Sequence, residues 1–227
     1  MSILEIPAED RREHQNYPLQ VTRLHKNAHA LAGFLFGFGM VLEVDGAGNF
    51  PRAGGVVVAA NHLTNYDAFP LQLALNRPLF YMAKADLFQN PFLRRVLRSL
   101  GAFPVYRGAR DEWALDHARH LLEAGQAVGI FPEGTRSQGR GLKVAQSGAA
   151  RLALSAGCPL LPVTIEGTQH LFKGFPRRTR VRVSVCEPIQ PRPDELPLAL
   201  TDRLMFTLAQ NLPPHLRGVY AESPTGF

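Results

Sequence analysis

Two short segments hold the residues best suited to chemistry. Asn61-His62-Leu63-Thr64-Asn65-Tyr66-Asp67 sets a carboxylate five positions after a histidine. A carboxylate bonded to one imidazole nitrogen sets the tautomer and leaves the other nitrogen as a base. Such a base takes a proton from an alcohol near neutral pH, worth roughly 10²–10⁴ in rate. Phe131-Pro132-Glu133-Gly134-Thr135-Arg136-Ser137 gathers a carboxylate, a glycine and a cation in a tight turn. Each segment also has an ordinary reading. Thr64 or Asn65 would cap a helix starting near Tyr66, and Glu133 would pair with Arg136 on the surface for about 0–1 kcal/mol.

The elements around these segments favour the chemical reading. Gly54-Gly55-Val56-Val57-Val58-Ala59-Ala60 is a short apolar run after a turn, the pattern of a buried strand. His62 then sits just past a strand end, where open α/β sheets hold ligands. Strands are expected at 79–83, 103–105, 126–131, 160–165 and 180–186. Helices are expected at 92–100, 112–124, 147–156 and 198–212. This alternation predicts an α/β fold, a single largely parallel sheet with helices on both faces, preceded by an N-terminal apolar helix.

Two further segments complete a pattern. Gly101-Ala102-Phe103-Pro104-Val105-Tyr106-Arg107 ends a short strand on an arginine, and Leu160-Leu161-Pro162-Val163-Thr164-Ile165 is an apolar strand holding a proline. In this order the four blocks resemble those of the glycerolipid acyltransferases, the lysophosphatidate and glycerol-3-phosphate type. There the blocks read Asn-His-x-Ser-x-x-Asp, Gly-x-x-Phe-(Ile/Val)-x-Arg, Phe-Pro-Glu-Gly-Thr-Arg-Ser and Val-Pro-Val. The likeness runs from about Val41 to Ile189. It implies His62 and Asp67 as the catalytic pair, and Arg107, Glu133, Gly134, Thr135 and Arg136 as substrate-binding residues. Lys84 matches a lysine that the family often carries before a short helix. The family's Phe-Lys pair before the next helix is missing, although Lys143 is present.

What the resemblance implies is transfer of a fatty acyl group from acyl-CoA, or an acyl carrier protein, to the hydroxyl of a phosphorylated glycerolipid acceptor. No cofactor is implied beyond the donor itself. The compact chain of 227 residues resembles the lysophosphatidate type more than the longer glycerol-3-phosphate type. A thioester hydrolase using the same His–Asp pair on water, and a non-catalytic basic membrane-binding module, are the rival classes.

Composition fits this direction. The net charge of +6 points to anionic partners. Lys173, Arg177, Arg178, Arg180 and Arg182 form a basic cluster without the features of nucleic-acid readers. An anionic membrane surface is the better partner. Cys158 and Cys186 read as core residues of a reducing compartment. No spacing suggests a metal. His117 and His120 share a helix face and read as a solvated pair.

The stretch 28–42 holds no formal charge, too short for the roughly 20 residues of a membrane span. Leu31, Phe34, Leu35, Phe38, Val41 and Leu42 follow helical spacing, with Arg23 and Lys26 just before them. A helix packed on the core and a helix lying in a membrane interface both fit, and the interface is the expectation. The small residues Gly33 and Gly37, four apart, would be a packing face or chance. The organisation expected is a membrane-interface segment at 1–45, an acyltransferase domain at 46–215 and a loose tail at 216–227. Acyl-CoA chemistry would place the protein on the cytoplasmic face of a membrane.

Overall fold

The computed structural model describes residues 17–106, 111–174 and 176–222. Seven strands form one sheet: β1 (Met40–Asp45), β2 (Val56–Ala60), β3 (Leu79–Lys84), β4 (Ala102–Val105), β5 (Ala127–Ile130), β6 (Leu160–Glu166) and β7 (Thr179–Val185). Their spatial order is β1-β7-β6-β2-β5-β3-β4. The helices are α1 (Arg23–Gly37), α2 (Ala68–Ala74), α3 (Pro91–Ser99), α4 (Glu112–Glu123), α5 (Gly148–Ala156) and α6 (Pro197–Gln210).

β2 explains the architecture. Every residue of Val56–Ala60 is buried, and the strand pairs in parallel with β5 on one side and β6 on the other. A strand covered on both faces has no polar side, which is why it reads as an unbroken apolar run. Val57 and Ala59 point into a core with Ala118 and Leu121 of α4, Ala150 of α5 and Leu204 of α6. Val56, Val58 and Ala60 point the other way, into a core with Leu71 of α2 and Phe36 of α1. So α4, α5 and α6 cover one face of the sheet, and α1, α2 and α3 the other.

From β2 the chain builds outward through β3 and β4, returns to β5, and then crosses over to β6. The strand order therefore reverses at β2, which makes its carboxyl end the crevice of the sheet. The carboxyl ends of β2, β3, β4, β5 and β6 share this edge. β7 runs antiparallel to β6, and β1 runs parallel to β7. A short connection from β6 can only return antiparallel, and β1 joins the edge that this return leaves open.

Three expectations need correction. The helix expected at 28–42 ends at Gly37; Met40 to Leu42 belong to β1, whose pairing with β7 draws the expected boundary at 45 into the sheet. Gly33 does serve packing, because a Cβ there would lie 2.7 Å from Leu73 Cδ2 of α2, whereas Gly37 faces open space. The tail expected to be loose from 216 is packed through 222. Leu216 is buried, and its carbonyl accepts the Leu142 N–H at 2.9 Å. His117 is also no solvated residue. Its ring stacks on Trp113 at 5.3 Å and meets Phe103 and Tyr17 edge-on. His120 pairs with Asp116 at 3.4 Å in solvent.

The basic cluster also divides. Arg178 donates to the carbonyls of Gly37 and Met40, closing the end of α1. Arg180 and Arg182 pair with Glu43 of β1.

Candidate active site

Asn61 follows β2 directly and extends its pairing. Its side-chain amide donates to the Ile165 carbonyl at 2.9 Å and accepts the Ile165 N–H at 2.7 Å. These bonds tie the His62 loop to β6 where the main-chain ladder stops. Asp67 stands at the entrance of α2, yet its side chain caps no helix N–H. It turns back to His62 instead.

The Asp67 carboxylate is fully buried. Oδ2 accepts His62 Nδ1–H at 2.7 Å and the Thr64 N–H at 2.8 Å. Oδ1 accepts the hydroxyls of Thr168 at 2.5 Å and Thr64 at 3.2 Å. A buried charge is tolerated only when its lone pairs are satisfied in this way. An ionised carboxylate only accepts, so the imidazole carries its proton on Nδ1. Nε2 then holds the free lone pair and bonds to no described residue. Phe131, after β5, stacks on the His62 ring at 4.1 Å and 17°.

Glu133 is buried and bonds to backbone on two sides. Oε1 accepts the His62 N–H at 2.7 Å, and Oε2 accepts the Lys143 N–H at 3.0 Å. Burial pushes its carboxyl up, and these two donors oppose the rise. The surface pair of Glu133 with Arg136 is not formed. Glu133 thus joins the His62 loop to the Lys143 loop. Gly134 turns the chain at φ +65, a left-handed conformation suited to glycine, and its N–H closes the turn on the Phe131 carbonyl at 3.0 Å. Thr135 is exposed beside it.

Arg136 reaches across to Asn65 Oδ1 at 2.6 Å, and Lys143 Nζ supports it from below through the Arg136 carbonyl at 2.8 Å. Leu63, Thr64, Asn65, Tyr66, Arg136 and Lys173 are among the residues lining an open groove of about 670 Å³. Thr64 and Thr168, which hold Asp67, form part of its wall, so the groove adjoins the His62–Asp67 pair. Lys84 closes β3 at the same sheet edge, two strands from β2, and pairs with Asp86. Arg107 lies outside the described residues; β4, before it, ends at this edge.

Sequence reasoning passed over Asn61 and Thr168. Asn61 had a usable signal, a lone amide closing an apolar strand. Thr168 had none, because it comes from beyond β6, a hundred residues away.

A buried aspartate fixing a histidine at the switch point of a parallel sheet defines an α/β site equipped to deprotonate a hydroxyl. A model of the family described as Acyltransferase matches residues 41–166, and the chain belongs to that family. It is similar to the 1-acyl-sn-glycerol-3-phosphate acyltransferases of Borreliella burgdorferi, 32% identical over 59% of this chain and 54% of that one, and of Bacillus subtilis, 34% identical over 62% and 70%. The crystal structure of the 1-acyl-sn-glycerophosphate (LPA) acyltransferase PlsC from Thermotoga maritima superposes with a TM-score of 0.68 at 28% identity, covering 82% of this chain and 77% of that one. The chain thus spans about half the length of the B. burgdorferi relative it matches.

Proposed function

We propose that this protein moves a fatty acyl group from a thioester of CoA or acyl carrier protein to the free hydroxyl of 1-acylglycerol-3-phosphate. The product is phosphatidate, and the reaction takes place at the cytoplasmic face of a membrane. The observation that carries this reading is the buried Asp67 carboxylate bonded to His62 Nδ1 at 2.7 Å. The names of the relatives support the choice of acceptor.

In this mechanism Nε2 takes the acceptor's hydroxyl proton as the oxygen attacks the thioester carbonyl. Asp67 stabilises the imidazolium that forms. The tetrahedral intermediate collapses, the carbon–sulfur bond breaks, and the imidazolium returns the proton to the leaving thiolate. The acceptor oxygen is itself the nucleophile, so the site needs no serine. The thioester supplies the driving force without a cofactor. Gly134 N–H is engaged in its own turn, so it is a poor choice for the oxyanion donor. Arg136 on the groove wall is suited to the acceptor phosphate, where a charged hydrogen bond contributes roughly 1.5–3 kcal/mol. Arg107 and Lys84 keep the substrate-binding role that the family pattern implies.

α1 supports the membrane reading. Phe36 faces inward and stacks on Phe69 of α2 at 3.9 Å. Leu31, Phe34, Leu35 and Phe38 face solvent, with Phe34 65% and Phe38 61% exposed. One side of the helix therefore packs on the core, and the other leaves an apolar surface suited to a membrane interface. No helix among the described residues is long and apolar enough to cross a membrane.

The decisive experiment is an acceptor panel with one labelled acyl-CoA. Product from lysophosphatidate, with little from glycerol-3-phosphate or zwitterionic lysolipids, is the expected result. Thioester loss that ignores every acceptor would instead make the protein a hydrolase.

A further inference from the structure

α3 has the composition of a lipid-contacting helix, and none of the chemistry above uses it. Its sequence Pro91-Phe92-Leu93-Arg94-Arg95-Val96-Leu97-Arg98-Ser99 contains three arginines and no acid. Leu97 packs into the core on the α1 face of the sheet. Phe92 is 78% exposed, Val96 is exposed one turn later, and Leu87 is exposed in the short helix just before. Arg94 and Arg95 make no ion pair with any described residue, whereas Arg98 lies over the Tyr17 ring. Phe92 and Val96, one turn apart, thus form an exposed apolar surface flanked by Arg94 and Arg95, the composition of an interface-binding helix.

The placement of α3 gives this surface a direction. α1 and α3 are neighbours on one face of the sheet. His25 of α1 meets Gly101, at the start of β4, so α1 begins at the amino edge of the parallel strands. It ends at the carboxyl edge, where β1 starts. α3 runs the opposite way, beginning after β3 at the carboxyl edge and ending before β4. Phe34 and Phe38 at the end of α1 and Phe92 at the start of α3 therefore share the edge that bears His62.

We infer that α3 is a second membrane-docking element, with Phe92 and Val96 entering an anionic phospholipid leaflet while Arg94 and Arg95 meet its phosphates. This rests on the membrane reading of α1 proposed above. One amphipathic helix leaves a protein free to roll about its axis. Two contacts on adjacent helices fix the tilt and hold the His62 edge against the lipid that supplies the acceptor. Charge selects the occupant, because arginines beside an exposed aromatic ring match an anionic interface better than a second copy of this equally cationic surface.

The test uses Trp113 being the only tryptophan in the chain. F92W in a W113F background is mixed with phosphatidylglycerol–phosphatidylcholine vesicles that carry brominated acyl chains, with F38W in the same background as the reporter on α1. A blue shift and quenching at both positions is the expected result. Quenching of F38W with F92W unchanged would overturn the α3 proposal and leave the membrane reading standing. No quenching at either position would overturn both. In the full chain, F92S/V96S should weaken partitioning to these vesicles by at least about tenfold, with turnover of a short water-soluble acceptor unchanged. Loss of self-association in that variant, with vesicle partitioning unaltered, would assign the face to a second copy and overturn the proposal.

Discussion

Glu133 receives the backbone N–H of His62 at 2.7 Å on one carboxylate oxygen and that of Lys143 at 3.0 Å on the other. A single buried side chain thus joins the loop after β2 to the loop that supports Arg136. Glu133→Gln should disturb both, because its amide NH₂ must face one of the two N–H groups. A buried donor left unpaired costs roughly 1–3 kcal/mol. We expect a lower urea midpoint and a kcat reduced by more than about tenfold on the same scale. A variant with parental midpoint and kcat would remove Glu133 from the architecture of the site.

His62→Ala should abolish transfer and leave the far-UV spectrum and vesicle binding intact. Asp67→Asn should lower kcat strongly through the wrong tautomer, and destabilise the loop, since an amide NH₂ turned to His62 Nδ1 also faces the Thr64 N–H. Thr168→Val removes one hydrogen bond to a charged group and should cost roughly tenfold in kcat. Turnover of His62→Ala within a few-fold of the parent would refute the base mechanism.

Arg136→Ala should raise the KM for lysophosphatidate more than that for acyl-CoA, because it removes a groove cation and leaves the base in place. Initial-rate kinetics with each substrate varied in turn would decide. A main effect on the acyl donor would assign the groove to the thioester instead.

The end of the chain acts as a strap. The Tyr220 hydroxyl accepts the Ala145 N–H at 3.1 Å, and the Val219 N–H reaches the Leu142 carbonyl at 3.1 Å. These bonds hold the loop whose Lys143 supports Glu133 and Arg136. Tyr220→Phe should lose about 0.5–1.5 kcal/mol of stability. Tyr220→Ala, which also removes the edge contact with Phe206, should lose more. Chemical denaturation of the two variants separates the hydroxyl from the ring.

Stability should fall on mild acidification. Burial holds His25 and His117 down to about 4, from an ordinary value of 6.5. Between those values the unfolded chain binds protons that the folded chain refuses, so stability is retained above about 6.5 and lost as the pH falls through that window. His117→Phe keeps a ring against Trp113 without the titrating group. Its urea midpoint should depend less on pH between neutrality and about pH 5 than that of the parent. An identical pH profile would show that His117 takes no part.

What the sequence determined by itself is local. His62 and Asp67 lie within one turn of chain, and only a strand end and a helix start are needed to bring them together. The parallel strands were legible because two-sided burial leaves apolar runs that no surface element would tolerate. β1 was hidden for the opposite reason. Its apolar start continues the surface of α1 without a break, and only pairing with β7, 139 residues away at Glu43 and Arg182, separates strand from helix. Glu133 at the His62 loop, Thr168 on Asp67, and Tyr220 on the supporting loop were likewise decided by the tertiary structure. Each is a single hydrogen bond across a long stretch of chain, and such a bond exists only once the strand order has placed its two ends side by side. Spacing along the chain carries no record of that order.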